Sequence, residues 1–113
     1  MRVGDLFEMS NLRKSETGLP CNIYVSSGGS VNKQHGPRIK VMRTSADRFD
    51  PSQTVSVMLK RDLTANDVIG YQTLDAATIK ALRQYVNENF EVLIAHWNDE
   101  LSSAEMLAQL KRI

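Results

Sequence analysis

The sequence predicts an α+β fold in which a small antiparallel sheet packs against one long amphipathic helix and is followed by a short C-terminal helix. Two observations support this prediction. Apolar residues recur at helical spacing between Asp75 and Asn98, which is typical of an amphipathic helix. Before that stretch, short segments alternate apolar and polar residues, which is typical of strands that bury one face.

The long helix is predicted from Asp75 to Asn98, and Thr73 or Asp75 can cap its start. The apolar stripe of so long a helix needs a partner surface, and the preceding strands are expected to supply it. At about 100° per residue, the stripe comprises Ile79, Leu82, Val86, Phe90, Leu93, Ile94 and Trp97.

The last helix is predicted from Ser103 to Lys111, because Ser102 and Glu105 have the spacing of a capping box. Its apolar residues Met106, Leu107 and Leu110 are expected to pack on the domain.

Three strands are predicted, over residues 21–26, 38–44 and 54–61. In the first, Cys21 and Ile23 face the core and Tyr24 faces outward. A hairpin centred near Phe49 joins the other two and brings Arg38 near Lys60 and Lys40 near Met58.

Two other segments give weaker signals. Residues 1–12 fit a short helix slightly better than a strand, and Val68, Ile69 and Tyr71 fit a short extended piece.

Composition favours one cytoplasmic domain, residues 1–113, with 42% hydrophobic content. The lone Cys21 is expected to be a buried thiol. No apolar run approaches the ~18 residues of a membrane span, so no membrane association is expected. No cofactor or metal is expected either, because Ser27-Gly28-Gly29-Ser30 lacks the ending of a phosphate-binding loop and no metal-binding motif occurs.

The charges are unevenly distributed although the net charge is only +1. Residues 1–65 contain ten Lys and Arg against six Asp and Glu, whereas the remainder contains four against seven. On the predicted sheet, Arg38, Lys40 and Lys60 lie beside Tyr24, and such a face can bind phosphates and stack a base of RNA. The alternative is an ordinary solvated face.

His35 is the candidate catalytic residue, because it precedes Arg38 and Lys40 at the end of a Gly-rich loop. An imidazole that moves protons near neutral pH, beside cations that hold a phosphate, makes up the parts of a metal-free ribonuclease. The alternative is a solvated loop histidine beside an ordinary polar sheet face.

A second candidate site lies along the margin of the long helix, where Tyr85, Asn89 and His96 form a row. Such a row can line a ligand cleft between helix and sheet. The alternative is the partly buried margin of a packed helix.

Several segments together resemble small bacterial proteins of unknown function. They are Gly18-Leu19-Pro20, Asn22-Ile23-Tyr24-Val25-Ser26, His35-Gly36-Pro37-Arg38-Ile39-Lys40-Val41, residues 89–97 and residues 107–113. The helix ending in Trp97 is also similar to that of a family of small bacterial domains encoded beside a partner in toxin-antitoxin-like gene pairs. That family has paired histidines after a proline on an early strand, whereas here Arg38-Ile39-Lys40 follows Pro37 and the single His35 precedes it.

The resemblance implies a bacterial protein that works with RNA or with a cognate protein encoded nearby. The leading functional hypothesis is therefore a small toxin-like or regulatory protein that engages RNA through its basic sheet face. The rival hypothesis is a noncatalytic protein-interaction module that forms a homodimer or binds another protein through a sheet edge or helix margin.

Overall fold

A computed structural model describes residues 9–26 and 36–113 of the chain. Its regular elements, in chain order, are β1 (Met9–Leu12), α1 (Lys14–Thr17), β2 (Ile23–Ser26), β3 (Arg38–Met42), β4 (Thr54–Met58), β5 (Val68–Ile69), α2 (Ala76–Trp97) and α3 (Ser103–Gln109). Short 3₁₀ turns, Pro51–Gln53 and Ala65–Asp67, precede β4 and β5. The α+β prediction is confirmed.

The five strands form one sheet in the order β1-β2-β3-β4-β5, and every neighbouring pair is antiparallel. Alternate side chains along a strand point to opposite faces of the sheet. Its inner face consists of buried cross-strand rows that include Ile23, Val41 and Val55 in one row and Val25, Ile39 and Val57 in the next. These rows form the core together with apolar residues of α2.

Helix α2 confirms the predicted long helix to within one residue at each end. Asp75 is its N-cap, because the carboxylate accepts a hydrogen bond from the amide of Thr78 at 2.7 Å. Hydrogen bonds from the side chain and then the amide of Thr78 lower the pKa of Asp75. The helix ends at Trp97, which is buried as expected and is 7% exposed.

Helix α3 begins at the predicted capping box. The amide of Ser102 donates to the Glu105 carboxylate at 3.0 Å, and the amide of Glu105 donates to the Ser102 hydroxyl at 3.1 Å. Met106 is fully buried and Leu110 packs against the core, as predicted. The prediction for Leu107 is wrong, because this side chain is 47% exposed. The helix ends at Gln109, and an extended segment continues to Ile113.

This C-terminal segment lies against the turn after α1. The amide of Ile113 donates to the carbonyl of Thr17 at 2.9 Å. Gly18 has a φ of 85°, and a Cβ there would collide with the carbonyl oxygen of Ile113. Glycine is therefore required at this position for both its conformation and its size.

Three predictions about the strands need correction. Residues 9–12 form a strand that pairs with β2, not part of a helix. The three predicted strands are each shorter than expected. In the β3–β4 hairpin, Arg38 lies opposite Met58 and Lys40 opposite Ser56, so the predicted register is wrong by two residues. A shift of two residues leaves every side chain on its predicted face.

Candidate functional site

One part of the outer sheet face is not covered by the residues that the structure describes. It consists of Arg38, Lys40, Ser56, Met58 and Ile69, and we call it the open face. The register places Lys40 opposite Ser56, Ser56 opposite Ile69, and Arg38 opposite Met58. Lys40 is exposed and Arg38 is half-buried, while Met58 and Ile69 are 46% and 41% exposed.

The other end of the outer face is covered by the connection between β3 and β4. Its Phe49 packs edge-on against Tyr24, with ring centroids 5.1 Å apart. Tyr24 is only 6% exposed and Met42 only 1%. Tyr24, predicted as a nucleic-acid contact, therefore lies on the predicted face, but Phe49 covers its ring. Burial, followed by the charge of Asp50, raises its pKa.

Polar contacts hold this connection in place. The Asn22 carboxamide donates to the carbonyls of Ala46 and Asp47 at 3.3 and 2.8 Å. Lys14 forms an ion pair of 3.3 Å with Asp47 and also donates to the carbonyl of Ser45. The sequence does contain a signal that this connection covers Tyr24. Phe49 is a large aromatic residue in a mostly polar segment.

Positive charge on the open face comes from Arg38 and Lys40. Both point outward from β3, and two residues of strand separate them by roughly 6.6 Å. Within residues 9–26 and 36–113, neither forms an ion pair with a carboxylate. None of the outward positions of the described strands is Asp or Glu. The face therefore presents two cations without a neutralising acid.

Lys60 does not join these two cations as predicted. It lies beyond the end of β4 and pairs with Asp67 at 3.5 Å. Its neighbour Arg61 belongs to the helix side of the molecule, because its guanidinium lies 4.5 Å from the ring centroid of Phe90 and 3.7 Å from Glu91. Because Lys60 is paired with the Asp67 carboxylate, its ammonium group is less available to a polyanion.

An exposed aromatic residue lies at the β5 side of the open face. Tyr71 is fully exposed, and it follows Gly70, whose φ of 102° turns the chain at the end of β5. A groove, which we call the β4–β5 groove, is lined by Ser52, Thr54, Val55, Ser56, Ile69, Gly70, Tyr71 and Gln72. Tyr71 was predicted in a short extended piece, but its place in this groove was not predicted. Gly70 was the available signal for the turn.

The predicted catalytic residue, His35, lies outside the described residues, as does the Ser27–Ser30 segment. The other histidine, His96, is completely buried and its Nε2 lies 3.1 Å from the hydroxyl of Ser103. A buried side chain on the helix that covers the inner face cannot contact a substrate on the open face. The described residues therefore supply no second histidine for catalysis there.

At the predicted ligand cleft, the side chains of Tyr85, Asn89 and His96 are all buried. The Asn89 side chain bonds to both the amide and the carbonyl of Lys111, at 2.7 and 2.9 Å. The chain's own C-terminal segment thus occupies the place expected for a ligand. Burial, followed by the charge of Glu16, raises the pKa of Tyr85 to about 12.

Cys21 is a buried thiol, as predicted, and it lies in the core. Burial, followed by the charge of Asp75, raises its pKa to about 11. A thiol with this pKa is almost entirely protonated at neutral pH and is a weak nucleophile. In the part of the chain that the structure describes, no group of three or more His, Cys, Asp or Glu residues could hold a metal ion.

The fold and the open face define a small α+β protein with a five-stranded antiparallel meander, one side covered by helices and the other partly exposed. No helix among the described residues is long and apolar enough to cross a membrane. The chain matches no protein-family model, and searches of curated proteins and of solved structures also find no match.

Proposed function

We propose that the protein binds RNA through the open face, with Arg38 and Lys40 contacting phosphates. One observation carries this proposal: two cations lie close together on the open face. The outward positions of the described strands include no carboxylate that could neutralise them. Lys60 is at most an accessory contact, because Asp67 partly neutralises it.

The spacing of the two cations suits consecutive phosphates of an extended strand. Two residues of β-strand span roughly 6.6 Å, which is similar to the separation of neighbouring phosphates in an unstacked chain. Ser56 lies directly across from Lys40 and adds a hydroxyl that can donate to phosphate or sugar oxygens. A flat sheet face also admits a single strand without steric hindrance.

Cleavage of the bound RNA is an additional proposal, and it depends on His35. Its proximity in sequence to Arg38 and Lys40 supports a role as acid or base. Incubation of 5′-labelled RNA with wild-type protein and with His35→Ala, in the presence of a chelator, tests this role. Cleavage by the wild type and intact RNA with the variant are expected; equal cleavage by both would remove His35 from the mechanism.

The resemblance to bacterial proteins encoded in toxin-antitoxin-like pairs supports a toxin-like or regulatory role and a cognate protein partner. The single cysteine fits a reducing compartment. We therefore propose that the protein acts in the bacterial cytoplasm.

A protein-interaction module, including a homodimer, is the second candidate. It is favoured by the exposed apolar side chains Met58, Ile69 and Tyr71 at the β4–β5 end of the sheet, since clustered apolar exposure marks many interaction surfaces. Sedimentation of the purified protein over a range of concentrations tests the homodimer.

Salt dependence of RNA binding is the direct test of the leading proposal. A plot of log affinity for single-stranded RNA against log salt concentration has a slope of roughly −0.7 per phosphate contacted. The double variant Arg38→Ala plus Lys40→Ala should therefore make this slope less steep by about 1.4. The matched control is Lys80→Ala plus Arg112→Ala, which removes the same charge from exposed positions outside the open face. Equal changes in the two double variants, or no binding by the wild type, would overturn the proposal.

A further inference from the structure

Across the open face and the groove beside it, the exposed side chains change from charged to apolar from one strand to the next. The cations lie on β3, whereas large apolar side chains lie on β4, on β5 and just after β5. Four large apolar side chains are exposed among the described residues, and three of them, Met58, Ile69 and Tyr71, gather here. The fourth, Leu107, lies on α3.

The β4–β5 groove is lined by both apolar and polar groups. Ile69 and Tyr71 supply the apolar surface, while Ser56 and Gln72 supply a hydroxyl and a carboxamide. This combination suits a heteroaromatic base, which presents an apolar face and a polar edge. Ser56, which lines the groove, lies directly opposite Lys40. The groove therefore begins one strand spacing, about 4.8 Å, from the backbone of Lys40.

We infer that the β4–β5 groove receives an unpaired base of the bound RNA, with Tyr71 stacking on it while the phosphates lie on Arg38 and Lys40. The protein therefore selects single-stranded over double-stranded RNA. This inference rests on the proposed function, because it uses the same two phosphate contacts. A protein partner would use the apolar groove equally well, but it would leave the two adjacent unneutralised cations unexplained.

Stacking explains the selectivity for a single strand. In a duplex the faces of the bases are covered by their neighbours, and only the phosphates and groove edges are accessible. A duplex can therefore contact Arg38 and Lys40 but cannot place a base face on Tyr71. Because base stacking on an aromatic side chain is a sequence-tolerant contribution, we expect little preference for one base over another.

The test is fluorescence anisotropy with a labelled 12-nucleotide RNA, single-stranded or annealed to its complement. The wild type should bind the single strand more tightly than the duplex. Tyr71→Ala should weaken single-strand binding by about 5- to 150-fold, with duplex binding and the salt slope unchanged. Tyr71→Phe keeps the ring and should bind within roughly twofold of the wild type. Because Tyr71 is fully exposed, neither substitution is expected to unfold the protein.

Leu107→Ala is the matched control, because it removes an exposed apolar side chain from α3 and should leave binding unchanged. If RNA binding requires Arg38 and Lys40 but is indifferent to Tyr71→Ala, or if duplex and single strand bind equally, the groove inference is overturned and the proposed function stands. If neither RNA form binds, both are overturned. If Tyr71→Ala changes only self-association in sedimentation, the groove belongs to a protein interface and the inference is overturned.

Discussion

Asn89 is the residue that attaches the C-terminal segment to α2, and its removal gives a sharp test of the structure. The side chain is 2% exposed. Its Nδ2 donates to the carbonyls of Tyr85 and Lys111 at 2.9 Å each, and its Oδ1 accepts from the amide of Lys111 at 2.7 Å. Asn89→Ala removes all three hydrogen bonds. At a net contribution on the order of 1 kcal/mol each, we expect the free energy of unfolding to fall by about 2–3 kcal/mol.

Urea unfolding followed by the fluorescence of Trp97, the only tryptophan, measures this change. Asn87→Ala is the matched control on the same helix, because Asn87 also makes two side-chain hydrogen bonds, but to exposed Asp62. It should reduce the free energy of unfolding by about 1 kcal/mol or less, since water replaces exposed hydrogen bonds. Equal losses in the two variants would refute the reasoning that Asn89 is a buried attachment point.

Asn89→Asp adds a test that depends on pH. The new carboxyl group would face the carbonyl oxygens of Tyr85 and Lys111 that now accept from Nδ2. The protonated form can donate to one of them, whereas the ionised form is repelled by both, so the folded-state pKa should be raised above the ordinary value of about 3.9. The folded state then binds more protons than the unfolded state. Relative to the wild type, the variant should therefore lose stability as the pH rises from about 4 to 7, and a flat difference would contradict this account.

Three further predictions concern the helix ends and the core. Gly18→Ala should lower the free energy of unfolding in urea by at least about 1–2 kcal/mol, because of its positive φ and the collision with Ile113. Asp75→Ala should cost about 1 kcal/mol in the same assay, through loss of the cap bond to Thr78. The Cys21 thiol should react with a disulfide reagent only after urea unfolding. Burial raises the pKa of Cys21 from 9.0 to about 11, so the folded state holds the thiol proton more tightly than the unfolded state. The free energy of unfolding should therefore fall as the pH rises through that interval, and the urea midpoint should move to a lower concentration.

The long helix could be predicted from the sequence because its signals are local. The apolar spacing, the Asp75 cap and the Ser102–Glu105 box each lie within one or two turns of the backbone they organise. The strand faces were predictable for the same reason, since alternation fixes the face even when the register is shifted by two residues. These features required no knowledge of distant contacts.

Burial of the candidate site residues depended on distant segments and could not be predicted in the same way. Tyr24 points outward as expected but is covered by Phe49 from a connection 25 residues further along the chain. Asn89 lies on the helix margin as expected, yet its partner is the backbone of Lys111. In both cases a helical or strand period gave the direction of the side chain correctly. What occupied the space in that direction was decided by tertiary packing.

The position of the open face follows from how the connections are distributed. Helix α2 contributes to the core beside the inner sheet face, and Phe49 of the β3–β4 connection covers Tyr24 on the outer face. Elsewhere on the described outer face, Met58 and Ile69 are exposed beside Arg38 and Lys40. The proposed ligand, single-stranded RNA, carries both negative charge and flat apolar base surface, so it would match both kinds of side chain.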